Sequence, residues 1–145
     1  NYFIIRTAWL YGEGKNFVRT MLKVAETHDE VTVVDDQFGS PTSTKELAKA
    51  IAALLPTDNY GLFHGTCEGS TSWDEFTREI YRLAGIATRV KSVTTAEYQA
   101  ANPQSAPRPH YSILDNYMFR LTTDHVYADW QAALDVYMTE MGYKA

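Results

Sequence analysis

Apolar positions along the chain fall into short unbroken runs that alternate with stripes of helical spacing. The first run, within Tyr2 to Arg6, holds four consecutive apolar residues, as expected of a strand covered on both faces inside a parallel sheet. Such a strand needs neighbours beyond those this chain supplies, which points to a piece of a longer protein. Lys15 to Glu26 sets Phe17, Val18, Met21, Leu22 and Ala25 on one helical face. Val31 to Val34 reads as a short strand. Ser43 to Leu55 is a helix, opened by a capping box of Ser43 and Glu46 and striped by Leu47, Ala50, Ile51 and Leu54. Gly61 to His64 is a strand. A second box, Ser72 with Glu75, precedes Phe76, Ile80 and Leu83, and Gly85 is the stop. Val90 to Val93 is another strand, and Thr94 with Glu97 caps a short helix. Ala101 to Ser112 is a loop containing prolines, and Asp129 to Met141 is a closing helix. No internal repeat, low-complexity segment or linker interrupts this order. The pattern predicts an α/β domain whose later half is less regular than a repeated βαβ unit.

One connection stands out from the rest. Between the strand at Val33 and the helix at Leu47 the chain reads VVDDQFGSPTSTKEL, dense in turn residues. Asp, Gly, Ser and Pro are what a strand needs to turn into a helix. The same residues suit a stiff ligand-binding loop on the rim of an α/β domain. The pattern alone leaves both readings open.

Composition narrows the class without naming a reaction. The 145 residues suffice for one domain with its own core, and 45% apolar with 21% charged residues is ordinary for a globular protein. A net charge of −5 lacks the clustered Lys and Arg of a nucleic-acid footprint. The lone Cys67 excludes an intramolecular disulfide and fits a reducing compartment. No apolar run approaches the roughly 20 residues of a membrane helix. A cytoplasmic protein is expected, with neither nucleic acid nor membrane as partner. The four histidines are scattered, so no metal site is expected. No Gly-x-Ser-x-Gly elbow occurs. Gly12-Glu13-Gly14 begins like a dinucleotide fingerprint, but Phe17 stands where the third glycine is required.

Longer motifs carry more information. Arg6-Thr7-Ala8-Trp9-Leu10-Tyr11-Gly12, followed by Asn16 to Leu22, resembles the dTDP-4-dehydrorhamnose reductases of the extended short-chain dehydrogenase/reductase superfamily. The resemblance continues through Val34-Asp35-Asp36-Gln37-Phe38-Gly39-Ser40-Pro41-Thr42 and Gly61 to Gly65. It extends through Ala106-Pro107-Arg108-Pro109, Ser112, Leu114, Asp115 and Asn116, and ends with Trp130, Ala133 and Leu134. These stretches are collinear and span nearly the whole chain.

The resemblance implies an architecture and a set of roles. The fold would be the C-terminal part of a Rossmann-type parallel sheet plus a small mixed α/β nucleotide-sugar-binding domain. In that family a Trp at the position of Trp9 packs on the sugar, against the plainer reading of Trp9 as core. Thr7 and Ala8 end a strand where an open α/β sheet presents its ligand crevice, which implies cofactor proximity. Asn16 would donate to the substrate diphosphate at a helix N-terminus, or serve simply as that helix's cap. Phe17 joins the implied substrate-binding set, although its stripe also turns it to the core. The amide of Gln37 could read a pyrimidine edge or its ribose. Arg108, held between Pro107 and Pro109, could offer its fork to the diphosphate. Asp35 and Asp36 read as turn and capping residues rather than as acid–base catalysts.

The implied reaction is reduction of the C4 ketone of dTDP-4-dehydro-L-rhamnose by NADPH or NADH, giving dTDP-L-rhamnose. Hydride would come from the nicotinamide and the proton from a Tyr whose pKa a Lys lowers. The Tyr-x-x-x-Lys helix and the glycine-rich cofactor loop are expected in an N-terminal half that precedes Tyr2. On this reading residues 1–145 are the substrate-binding half, hold no catalytic residue and are inactive alone. Another nucleotide-sugar epimerase or dehydratase of the superfamily, or a non-catalytic regulatory relative, remains the alternative. A homodimer is compatible with the resemblance.

Overall fold

A computed structural model describes residues 1–143. Strand β1 (Phe3–Arg6) and the two-residue β2 (Leu10–Tyr11) lead into helix α1 (Phe17–Ala25). Strand β3 (Glu30–Val34) is followed by the short β4 (Phe38–Gly39) and β5 (Thr42–Ser43), then helix α2 (Thr44–Leu54). Next come β6 (Gly61–His64), β7 (Thr71–Ser72), α3 (Trp73–Ala84), β8 (Arg89–Val93) and α4 (Thr95–Ala101). The chain closes with β9 (Tyr111–Ser112), α5 (Tyr117–Thr122) and α6 (Trp130–Glu140). The α/β alternation read from the sequence is present.

Strands pair mostly in parallel. β1 runs beside β6 from Phe3↔Gly61 to Arg6↔His64, β3 beside β8 from Glu30↔Arg89 to Val34↔Val93, and β2 beside β5. β4 is the centre of a small mixed sheet, antiparallel to β7 and parallel to β9. Pairing with β9 brings the proline-containing loop back onto the Asp36–Gly39 turn, with Phe38 N donating to the His110 carbonyl at 2.6 Å.

The interior divides into two clusters. α1, α3 and α6 enclose the larger, built on Val18, Leu22, Phe76, Ile80, Trp130, Leu134 and Met138, as amphipathic helices require. The smaller comprises Ala50, Leu54, Phe63, Phe119 and Tyr127, lying between α2, β6 and α5 with Phe3 and Ile5 packed against it. The expected burial of the first strand on both faces is therefore half met. Ile5 and Phe63 turn inward, whereas Ile4 is 49% exposed and its partner Leu62 44%. No further strand or helix covers that face among the described residues.

The caps show what spacing can and cannot say. Ser43 accepts from Glu46 N at 3.2 Å, but the Glu46 carboxylate does not return to complete the box. It accepts instead from Lys49 at 2.5 Å and from Ala128 N at 3.2 Å, tying α2 to the approach to α6. Ser72 makes no cap bond to the backbone; its hydroxyl donates to Asp74, which also accepts from Ser92 at 2.7 Å. Only Thr94 and Glu97 form the full reciprocal box. Gly85 ends α3 in the left-handed region at φ 66°, the conformation that favours glycine there. Helix α5 has no counterpart in the sequence reading. Its cap residue Asn116 makes no cap bond, because its amide instead pairs with both backbone groups of Thr66, at 3.0 and 2.7 Å.

Candidate functional site

A cleft of about 960 Å³ opens where β1 ends, bounded by β3, the Asp36–Gly39 turn, α4 and the proline-containing loop. Parallel strands deliver their following loops to one end of a sheet, so a crevice forms there by construction. Thr7, Ala8, Trp9, Phe17, Gln37 and Arg108 all line it. Six residues spread over some hundred positions of sequence thus share one cavity. Asn16 does not line it. Its Nδ2 donates to the Gly12 carbonyl at 2.6 Å and its Oδ1 accepts from Arg19 N at 3.1 Å, so both ends of the amide serve the α1 cap.

One wall is aromatic. The Trp9 indole stacks on Trp73 with centroids 3.5 Å apart and planes 11° from parallel, and Phe17 lies 4.4 Å from Trp73. Trp9 is half-buried, packs on the larger cluster and also faces the cleft, so the core and ligand readings are not exclusive. Its backbone takes φ 48°, and its carbonyl accepts from Thr42 N at 3.1 Å. A left-handed non-glycine residue costs on the order of 1–3 kcal/mol and persists where its surroundings dictate it. Gly39 lies against the same indole so closely that any Cβ would strike the ring, which accounts for a glycine in this loop. With one face of Trp9 against Trp73, a ligand meets a composite wall rather than an isolated indole.

The lining is also positively charged. Arg108 and Arg6 both line the cleft, both are exposed, and neither is in an ion pair among the described residues. The lining contains no Asp or Glu, although the chain as a whole carries −5. Two unpaired guanidinium groups in an acid-free crevice suit a phosphorylated ligand. Gln37 is 7% exposed and donates from Nε2 to Thr95 Oγ1 at 2.9 Å. Asp36 does not face the cavity; its carboxylate accepts from Thr95 N at 2.9 Å and from the Thr95 hydroxyl at 2.5 Å. Burial opposes the charge on Asp36, but these bonds and nearby His110 outweigh it and hold the carboxyl below its ordinary range. That is a capping and scaffolding role.

Contrary to the expectation that no Tyr-x-x-x-Lys spacing falls within residues 1–145, it occurs once, from Tyr11 to Lys15. It is not a catalytic pair. Tyr11 is 2% exposed within the larger cluster, and burial pushes its hydroxyl far above the ordinary range. Lys15 sits in the exposed bend before α1. Sequence reasoning also left Arg6, Trp73, Thr95 and Tyr98 without a role, although they line the cleft. Arg6 was visible as the polar end of an apolar run. Trp73, Thr95 and Tyr98 carry no local signal that separates them from ordinary helix starts. Among the described residues no group of His, Cys, Asp or Glu could hold a metal ion, and no helix is long and apolar enough to cross a membrane.

Fold and cleft together define an α/β binding unit whose crevice, at the end of a parallel strand, is lined by two arginines and an aromatic wall. The chain belongs to the RmlD substrate binding domain family, whose model matches residues 1–143. It is 40% identical to a dTDP-4-dehydrorhamnose reductase of Streptomyces griseus, over 91% of this chain and 44% of that protein. The crystal structure of a dTDP-4-dehydrorhamnose reductase from Clostridium acetobutylicum superposes with a TM-score of 0.91 at 48% identity, covering 97% of this chain and 49% of that one. A second, from Bacillus anthracis in complex with NADP, gives 0.88 at 39% identity, covering 96% and 48%. The chain thus spans about half the length of the relatives it matches.

Proposed function

We propose that this chain is the sugar-nucleotide-binding half of an NADPH-dependent reductase that converts the C4 ketone of dTDP-4-dehydro-L-rhamnose into the alcohol of dTDP-L-rhamnose. The observation that carries the reading is the meeting of Arg6, Arg108, Gln37 and the Trp9–Trp73 wall around one cleft at the end of β1. In this reading the guanidinium groups hold the diphosphate, Gln37 meets the base or ribose, and the aromatic wall borders the sugar. NADPH supplies hydride to the ketone carbon, and the proton reaches its oxygen from a Tyr outside residues 1–145. Thr7 and Ala8, at the strand end where the crevice opens, are this chain's share of the cofactor contact. No Gly-x-Gly-x-x-Gly loop occurs in the chain to cradle a pyrophosphate, so tight NADPH binding belongs to the other half. That half also covers the open face of β1 and β6.

The deciding assay uses the full-length protein with NADPH and dTDP-4-dehydro-L-rhamnose, following loss of the reduced-nicotinamide absorbance and formation of dTDP-L-rhamnose. Turnover that disappears when the C4 ketone is replaced by an alcohol supports the reading. Failure to oxidise NADPH with this substrate would sink it, as would saturable micromolar NADPH binding by residues 1–145 alone.

A further inference from the structure

We infer that Thr95 and Asp36 are positioning residues that fix the polarity of the Gln37 amide, so that the cleft offers a hydrogen-bond acceptor there and selects a base edge bearing an N–H, such as the imide of a pyrimidine. The inference rests on the proposed function and names what that site demands of its ligand. It follows from counting protons. The Thr95 hydroxyl has one, and Asp36 Oδ1 lies 2.5 Å away while also accepting from Thr95 N at 2.9 Å. An ionised carboxylate only accepts, so the hydroxyl proton points to Asp36. The Thr95 oxygen is then left as an acceptor for the Gln37 atom 2.9 Å from it. That atom must be the amide nitrogen.

The consequence is a fixed end and a free end. With Nε2 committed to Thr95, Oε1 is the remaining end of the side chain and accepts no hydrogen bond among the described residues. A flipped amide would set carbonyl oxygen against hydroxyl oxygen with no proton between them. At 7% exposure little water is present to offset that. The backbone leaves no slack either. Phe38 N donates to the His110 carbonyl at 2.6 Å, and the His110 ring nitrogen Nδ1 lies 2.8 Å from the Asp36 carbonyl, so both sides of Gln37 are tied down. The relay starts in the turn after β3 and runs through the first residue of α4, which the pairing of β3 with β8 brings alongside. An acceptor held this rigidly rewards an N–H and penalises its replacement.

The test uses the full-length protein and two probes, dTDP and its N3-methyl derivative, which lacks the imide N–H. Wild type is expected to bind dTDP roughly tenfold or more tightly than the methylated probe, the cost of a lost hydrogen bond with an orphaned buried carbonyl. Thr95→Val, which keeps the shape and removes the hydroxyl, is expected to weaken dTDP binding and collapse the discrimination to within about twofold. Thr95→Ser is expected to restore both. Simple crowding by the added methyl would persist in Thr95→Val, so the collapse separates hydrogen bonding from steric fit. Gln37→Met, read in parallel, removes the acceptor itself and must lose the same discrimination whether or not Thr95→Val folds. A wild type that binds no dTDP overturns the proposed function. A wild type that binds dTDP but ignores N3-methylation, or a folded Thr95→Val or Gln37→Met that keeps the full preference, overturns this inference alone.

Discussion

The larger buried cluster and the smaller one meet solvent in opposite ways. Around Phe76, Ile80 and Leu134, three amphipathic helices close on one another and leave an aromatic rim that becomes the cleft wall. Beneath β1 and β6 only one face is covered; Ile4 and Leu62 form the other, half exposed. Helices bring their own polar faces, so a helical cluster can be complete within this chain. A parallel strand pair has two apolar faces and needs a layer on each. The first region can therefore stabilise and shape a site by itself, whereas the second leaves an apolar face open among the described residues.

The widest gap between the regions is expected from their central phenylalanines. Phe76→Ala should lower unfolding free energy by about 3–5 kcal/mol. It should also weaken dTDP binding, because the same ring lies against Trp9, Trp73 and Phe17. Phe119→Ala should destabilise the protein yet leave dTDP affinity near wild type wherever both remain folded. Denaturant melts with calorimetric titration of the full-length protein decide this; equal losses of affinity would mean the two clusters act as one.

Charge at the cleft comes next. Arg108→Ala should cost dTDP binding about 1.5–3 kcal/mol, roughly tenfold to over a hundredfold. The loss should shrink as salt rises, since the contact is ionic, and Gln37→Ala should show a smaller and salt-insensitive loss. Binding curves at two salt concentrations separate them. For the aromatic wall, Trp9→Ala and Trp73→Ala should each weaken sugar-nucleotide use by on the order of 1–3 kcal/mol while sparing NADPH affinity. A double variant no worse than either single one would show that the stacked pair acts as a unit.

Acid should find the smaller region first. Burial opposes the charge on Glu46, yet Lys49 and the Ala128 amide hold its pKa below the ordinary 4.5, and burial holds His125 below 6.5. Both groups bind protons more readily when unfolded, so each contributes stability above its unfolded pKa and loses it as pH falls through its folded value. Melting temperature should drop first as pH passes below about 6.5, from His125, and again below the carboxylate range, from Glu46. Glu46→Gln should flatten the second drop; an unchanged profile would remove Glu46 from the account. The smallest effect is expected on the open face. Ile4→Thr should shift the stability of residues 1–145 by less than about 0.5 kcal/mol, and by clearly more in the full-length protein, as paired thermal melts can test.

What the sequence determined is mostly what lies within a turn or two of helix. The stripes of α1, α3 and α6, that of α2 apart from the exposed Ile51, the Gly85 stop and the Thr94–Glu97 box depend on residues three or four apart, and these stand where their spacing put them. Long collinear motifs likewise disclosed the family, and six of the seven residues they singled out, all but Asn16, line one cleft. Contacts between distant positions lay beyond such reasoning. Ser43 and Glu46 have capping spacing, but Ala128 offered Glu46 a partly buried amide that only the folded approach of the segment before α6 to the start of α2 supplies. Asn16 looked available to a ligand until Gly12 and Tyr137 took its amide. Two-residue strands such as β4 and β9 have no periodicity to read; their pairing exists because β3 and β8 bring their following loops together. Trp73 reaches Trp9 and Thr95 reaches Gln37 across more than fifty positions. Local spacing decides which element a residue joins, whereas a buried polar group or ring takes whichever partner the assembled fold presents, and that choice belongs to the tertiary structure.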